Sequence, residues 1–277
     1  MSQLDLASQA RISTRHLSFL ETGRSAPSRD MVLRLAEQLD VPLRERNELL
    51  LAAGYAPIYP RTPLDAPGLA AIRAAVRRVL AAHEPYPAMV LDRAWNLLEG
   101  NAGIGLLTAG ATAALLTPPV NALRLTLHPA GLAPRIANLG QWRAHLLDRL
   151  HRRVALTGDP ALVELAEELR GYPCDQPEPA LHLPDPSGVA VPLRIRCGER
   201  VLSFMRTVVT FGTPLDVTVA ELSIESFFPA DADTTAALSP HRMGGSPARA
   251  APAGVLAGSG HGADRAGRRR RSADTPH

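Results

Sequence analysis

Thr14, Arg15, His16 and Ser18 set four polar side chains within five residues, with Ile12, Leu17 and Leu20 as their apolar counterparts. That division is the chemistry of a helix laid in the DNA major groove. The apolar back fixes its angle and the polar front meets base edges. Arg15 can donate two hydrogen bonds to a guanine, while Thr14 and Ser18 are short enough to reach bases or phosphates. Ser13, His16, Thr22 and Arg24 complete the expected DNA-contacting set, and Phe19 is read as outward, against a thymine methyl or a neighbouring domain. Gln3 opens the preceding helix, where an amide beside free backbone N–H groups suits a phosphate. The bland alternative is an ordinary surface helix.

A second group suits a small-molecule cavity, which needs apolar walls and a few polar anchors. Trp95, Trp142, Leu146, Phe204 and Phe211 are candidates for the wall. Strand alternation puts Arg206 on the face of Phe204, making it the candidate partner of an acidic headgroup. The same alternation turns Arg194 and Arg196 away from Leu193 and Ile195. The alternative is that these aromatics only fill a core. Enzyme chemistry finds little support: the chain lacks a Gly-rich phosphate loop, a G-x-S-x-G and an H-E-x-x-H. His128 precedes a proline, His145 and His151 have no ligand-like partner nearby, and Asp159-Pro160 reads as a helix N-cap. Cys174 and Cys197 form no metal spacing. The expectation is a non-enzyme without cofactor or metal.

The elements that must position these groups follow from periodicity. Residues 1–57 read as four short helices. Ser13 caps the second, Gly23 closes it in left-handed backbone, and Ser28 starts a third with Val32, Leu35, Ala36 and Leu39 as its stripe. Pro42 stands at the first turn of the fourth, which stops at Gly54. Residues 58–84 read as a proline-stiffened linker and an amphipathic helix with Leu69, Ile72, Val76, Val79 and Leu80 on one side. That helix either connects domains, helps dimerise, or packs on its own domain. Residues 85–238 change character. "PAMVLD" and "WNLLEG" read as strands, Asn101 to Arg170 as largely helical, and "VAVPLRIRC", "VLSFMRTVVTFG" and "DVTVAELSIESFF" as three closing strands. The expected fold is therefore multidomain: a small all-α domain, then an α+β domain with one antiparallel sheet. Residues 239–277 read as a disordered Gly/Ala/Arg-rich tail.

The 277 residues carry 30 basic side chains, all Arg, against 27 acids. From Ser239 onward seven Arg face two Asp, so the positive charge sits in the tail and the preceding part is slightly acidic. Within that part Arg11, Arg15, Arg24, Arg29 and Arg34 still cluster, a face for phosphates. No apolar run reaches the roughly 18 residues of a membrane span, and the N-terminus does not read as a signal peptide. A cytoplasmic location and no membrane partner are expected.

"SQLDLASQARISTRHLSFLETGRSAPSRDMVLRLAEQLDVP" resembles the lambda-repressor-like helix-turn-helix of the XRE family of regulators. "LRERNELLLAAGYAP", "VLDRAWNLLEGN", "TGDPALVELAEELRGYP" and "TFGTPLDVTVAELSIESFFPAD" narrow the resemblance to the subgroup with an MmyB-like ligand-binding domain. The resemblance spans Ser2 to about Leu238. It implies a PAS-like fold for the second domain, a double-stranded DNA operator, a homodimer, and a small apolar ligand of fatty-acid type. The alternative is a protein–protein interaction module defective in DNA binding. Three departures accompany it. The family's first helix has no counterpart before Ser2, so Leu6, Ala7, Leu17 and Leu20 are expected to lie bare and Glu21 to lack the arginine it pairs with. Arg11 stands where a Gly is usual. The tail after Leu238 does not resemble the family's ending. A start further upstream and a shifted reading frame at the tail are the corresponding expectations.

Overall fold

The computed structural model describes residues 2–177 and 191–239. Four helices come first: α1 (Gln3–Gln9), α2 (Thr14–Glu21), α3 (Arg29–Gln38) and α4 (Leu43–Ala52). Their starts follow from short oxygen-bearing residues. Ser2 forms a capping box with Asp5, Ser13 accepts from the His16 N–H, and Ser28 accepts from the Met31 N–H. Pro42 is the N-cap of α4. Gly23 and Gly54, at φ 69° and 82°, turn the chain out of α2 and α4. Ala7, Ala10, Leu17, Met31, Val32, Ala36 and Leu50 form the core of this unit.

The expected bare backs are not bare. Ala7 is 2% exposed and Leu17 3%, because α1 packs on both α2 and α3. Leu6 and Leu20 are half-buried; Leu4 remains exposed. Glu21 is also not partnerless, since the Gln3 side-chain amide donates to it. Leu39, read as part of the α3 stripe, lies outside, and Met31 takes a core position instead.

After the linker, α5 (Ala70–Ala82) leads into β1 (Ala88–Leu91) and β2 (Leu97–Gly100). Short helices α6 (Gly105–Thr108) and α7 (Ala122–Leu127) precede the long α8 (Leu139–Thr157) and α9 (Pro160–Arg170). The chain closes with β3 (Leu193–Cys197), β4 (Arg200–Thr210), α10 (Val217–Ala220), β5 (Ser223–Pro229) and α11 (Ala232–Leu238). The strands form one antiparallel sheet in the order β2-β1-β5-β4-β3. Val90 faces Ile224, Arg206 faces Phe227 and Leu193 faces Phe204 across the ladders. One sheet face, with Met89, Leu91, Leu193, Ile195, Phe204 and Phe227, is covered by α7, α8 and α9 through Leu123, Leu127, Trp142, Leu146, Leu150 and Leu162. Val76 and Leu80 of α5 cover part of the other face at Ala88, Val90, Leu222 and Ile224. The connecting helix thus packs on its own domain, and Val79, read as part of its buried stripe, is 46% exposed.

"DVTVA" is not strand. Asp216 accepts from the N–H groups of Thr218 and Val219 and winds the segment into α10, so β5 begins only at Ser223. A local cap overrides the β preference of Val217 and Val219. Each sheet edge is partly covered, and β4 runs past the end of β3 over residues 205–210. Along β2, Leu97 donates to the Val120 carbonyl and the Asn96 backbone bridges Asn121. Along β3, Ala137 donates to the Arg194 carbonyl, and Asn138 takes Arg194 N–H and gives to Pro192. The tail expected to be disordered lies, beyond Ser239, outside the described residues.

Candidate functional site

The exposed face of α2 gathers most of the residues singled out for DNA. Thr14, Arg15, Thr22 and Arg24 are exposed; His16, Ser18 and Phe19 are half-buried. Residues four apart stack on one helix face, and the Arg15 guanidinium lies 5.3 Å from the Phe19 ring centre. Two hydroxyls are engaged locally: Ser13 caps α2, and Thr22 donates to the Ser18 carbonyl at 2.7 Å. Gln3, expected free for a phosphate, is tied to Glu21 and bridges the start of α1 to the end of α2. Its second amide hydrogen remains. Arg11 sits in the turn between them at φ 54°, the left-handed conformation that a glycine adopts without strain.

A cavity of about 40 Å³ lies between the sheet and the helices that cover it. Its apolar wall comes from β1–β2, α6–α8 and β5, with Met89, Trp95, Leu123, Trp142, Leu146 and Phe227 prominent. Trp95, Trp142, Leu146 and Arg206 therefore meet at one space. Phe204 does not line it; fully buried, it fills the core behind. Phe211 lies past the end of β4, against the α5 side of the sheet, and is not a wall residue. Alternation placed Phe204 on the right face, but Phe211 stands after the ladder has ended.

Arg206 and Glu225 bring charge to this apolar wall, with 9% and 6% of their side chains exposed. Glu225 is held firmly by Arg149 at 2.6 Å and only loosely by Arg206, at 3.5 Å. Arg206 also donates to His145 Nε2 at 2.9 Å and lies 5.5 Å from the Trp142 ring centre. A guanidinium only donates, so His145 Nε2 is unprotonated there. Burial, and then the positive charge of Arg206, push the His145 pKa down to about 4. Burial also lowers the pKa of Arg206. Trp142 Nε1–H is buried without an acceptor among the described residues, an open donor on a cavity-lining side chain. Sequence reading passed over Arg149 and Glu225. The available signal was a single carboxylate inside the apolar run "LSIESFF".

A further ion-pair group joins the two folded units. Arg44 of α4 holds Glu221 with two contacts of 2.6 Å. Arg93, in the β1–β2 turn, reaches Glu221 at 3.6 Å and also pairs with Asp159, the cap of α9. Arg194 and Arg196 are exposed, as alternation requires. Among the described residues no group of His, Cys, Asp and Glu is arranged to hold a metal, and no helix is long and apolar enough to cross a membrane.

Comparison with known proteins matches residues 72–239 to the family model described as "MmyB-like transcription regulator ligand binding domain" and residues 1–46 to one described as "Helix-turn-helix". No curated protein matches the chain.

Proposed function

This chain belongs to the family of transcription regulators with an MmyB-like ligand-binding domain, and on that premise we propose that it binds a double-stranded DNA operator as a homodimer and senses a small apolar ligand with an acidic end. The α2 face supplies the DNA contacts: Arg15 to a guanine, Thr14, Ser18 and Phe19 beside it, and Arg24 to the backbone. Ser13 and Thr22 act through their caps, which fix the ends of α2. The ligand reading rests on one observation above all. Trp142 Nε1–H has no acceptor among the described residues, and the neighbouring Arg206 has only a loose carboxylate contact. Both groups donate, so the ligand end they fit is an acceptor, and a carboxylate of fatty-acid type satisfies both. At about 40 Å³ the cavity holds a few water-sized groups. A long chain enters by parting α6 and α7 from the sheet.

Trp95 and Trp142 are the chain's two tryptophans, and both line the cavity. Their emission is therefore the direct assay. Titration with decanoate shifts it saturably, and a duplex carrying the DNA upstream of the coding sequence changes affinity in parallel. No emission change with decanoate or its shorter homologues overturns the ligand reading. Failure to bind any duplex in preference to random DNA favours the protein–protein module instead.

A further inference from the structure

Glu221 stands where three segments meet. It accepts both contacts from Arg44 on the DNA-reading unit. It begins the run into β5, whose Glu225 and Phe227 line the cavity. Through Arg93 it also touches the β1–β2 turn, which two residues later carries Trp95, another cavity residue. Five residues upstream a second tie crosses the same gap. The Asp216 carboxylate accepts from the Thr62 N–H at 3.0 Å while capping α10, and Val217 N–H donates to the Pro60 carbonyl at 2.8 Å. The linker at this point is itself fixed to α4, because Asn47 accepts from the N–H groups of Ile58 and Tyr59 and donates to the Tyr59 carbonyl. One short segment, Asp216–Glu221, thus grips both α4 and the linker, and it leads directly into a cavity wall.

We infer that Asp216–Glu221 is a two-point latch that sets the position of the DNA-reading unit on the sensor domain, with Glu221 as the positioning residue, and that displacement of β5 or the β1–β2 turn by a ligand opens it. The latch itself stands on the contacts just given; its response to ligand rests on the reading of the cavity above. In an opened latch α2 loses its fixed direction relative to the sheet. In a dimer that changes the spacing of two recognition helices and so the affinity for DNA.

The test uses the full chain and hydrogen exchange of the Thr62 and Val217 amides. Glu221→Gln and Arg44→Met each speed both amides at least tenfold, and the double variant adds nothing further, the mark of one shared interaction. Arg44→Lys, which keeps the charge but loses the paired contacts, falls between Arg44→Met and the wild type. Amides of Leu125 and Leu132, by the cavity, do not change. Unchanged Thr62 and Val217 exchange in both single variants overturns the latch. Decanoate then separates the coupling from the ligand reading. In the wild type it shifts tryptophan emission, speeds the Thr62 amide and alters duplex affinity; in Glu221→Gln it shifts emission alone. Shifted emission with an unmoved Thr62 amide in the wild type overturns the coupling. Unshifted emission is a failure of the ligand reading, and the variants alone then decide the latch.

Discussion

At the cavity, single side chains carry the discriminating chemistry. Arg206 offers a charge-assisted donor that its own carboxylate neighbour does not fully use. Charge-assisted bonds are worth about 1.5–3 kcal/mol, so Arg206→Met weakens decanoate binding by roughly ten- to a hundredfold and leaves decanol binding nearly unchanged. Tryptophan emission titrations with the two compounds measure this. His145 makes a pH prediction. Arg206, Arg149 and Arg152 disfavour its protonation and Asp148 favours it, with burial the largest effect, giving a pKa of about 4 in the folded chain. The unfolded chain takes up that proton near pH ~6.5. The contribution of neutral His145 is therefore complete above that value and is lost as pH falls toward 4. Denaturant unfolding at stepped pH shows the decline, and His145→Gln flattens it. On the DNA side, Arg15→Ala removes base reading without removing phosphate contacts. Preference for the operator over random duplex falls by about 1–3 kcal/mol while non-specific binding persists, as fluorescence anisotropy with both duplexes would record.

Among the elements, the turn from α1 to α2 stores strain. Arg11 holds φ 54° with an exposed side chain that has no packing role. Arg11→Gly relieves the left-handed conformation at some entropic cost in the unfolded chain, so stability rises by up to ~1 kcal/mol, visible as a higher denaturant midpoint with an unchanged slope. Much at this level was legible in the sequence, because helix ends are local chemistry. Ser13, Ser28 and Gly23 mark their boundaries by what their own atoms bond, and Leu193 and Ile195 mark a face by alternation. Errors fell where a neighbouring element decided the outcome. Asp216 capped what β-branched residues predicted as strand. Val79 faces out because α5 meets the sheet along a stripe narrower than its apolar side. The polar end of the cavity was legible only in Arg206. Its partners Arg149 and Glu225 come from α8 and β5, 76 residues apart, and no local pattern joins them.

For the whole molecule, a near-palindromic operator requires two recognition helices presented about 34 Å apart. Deleting one half-site weakens binding by about 10²-fold or more, since the second contact becomes intramolecular once the first is made; gel shifts on full and half operators test it. The latch at Glu221 makes that separation a property of the sensor domain rather than of a loose linker. The sheet edges constrain how two copies meet. With β2 bonded at its first residue to Val120 and β3 to residues 136–138, the row of backbone groups still open on the β3 side is the part of β4 that outruns β3, residues 205–210, which pairs only with β5 among the described residues. Strand addition, the route by which sheets grow into open-ended fibres, is confined on that margin to this short stretch.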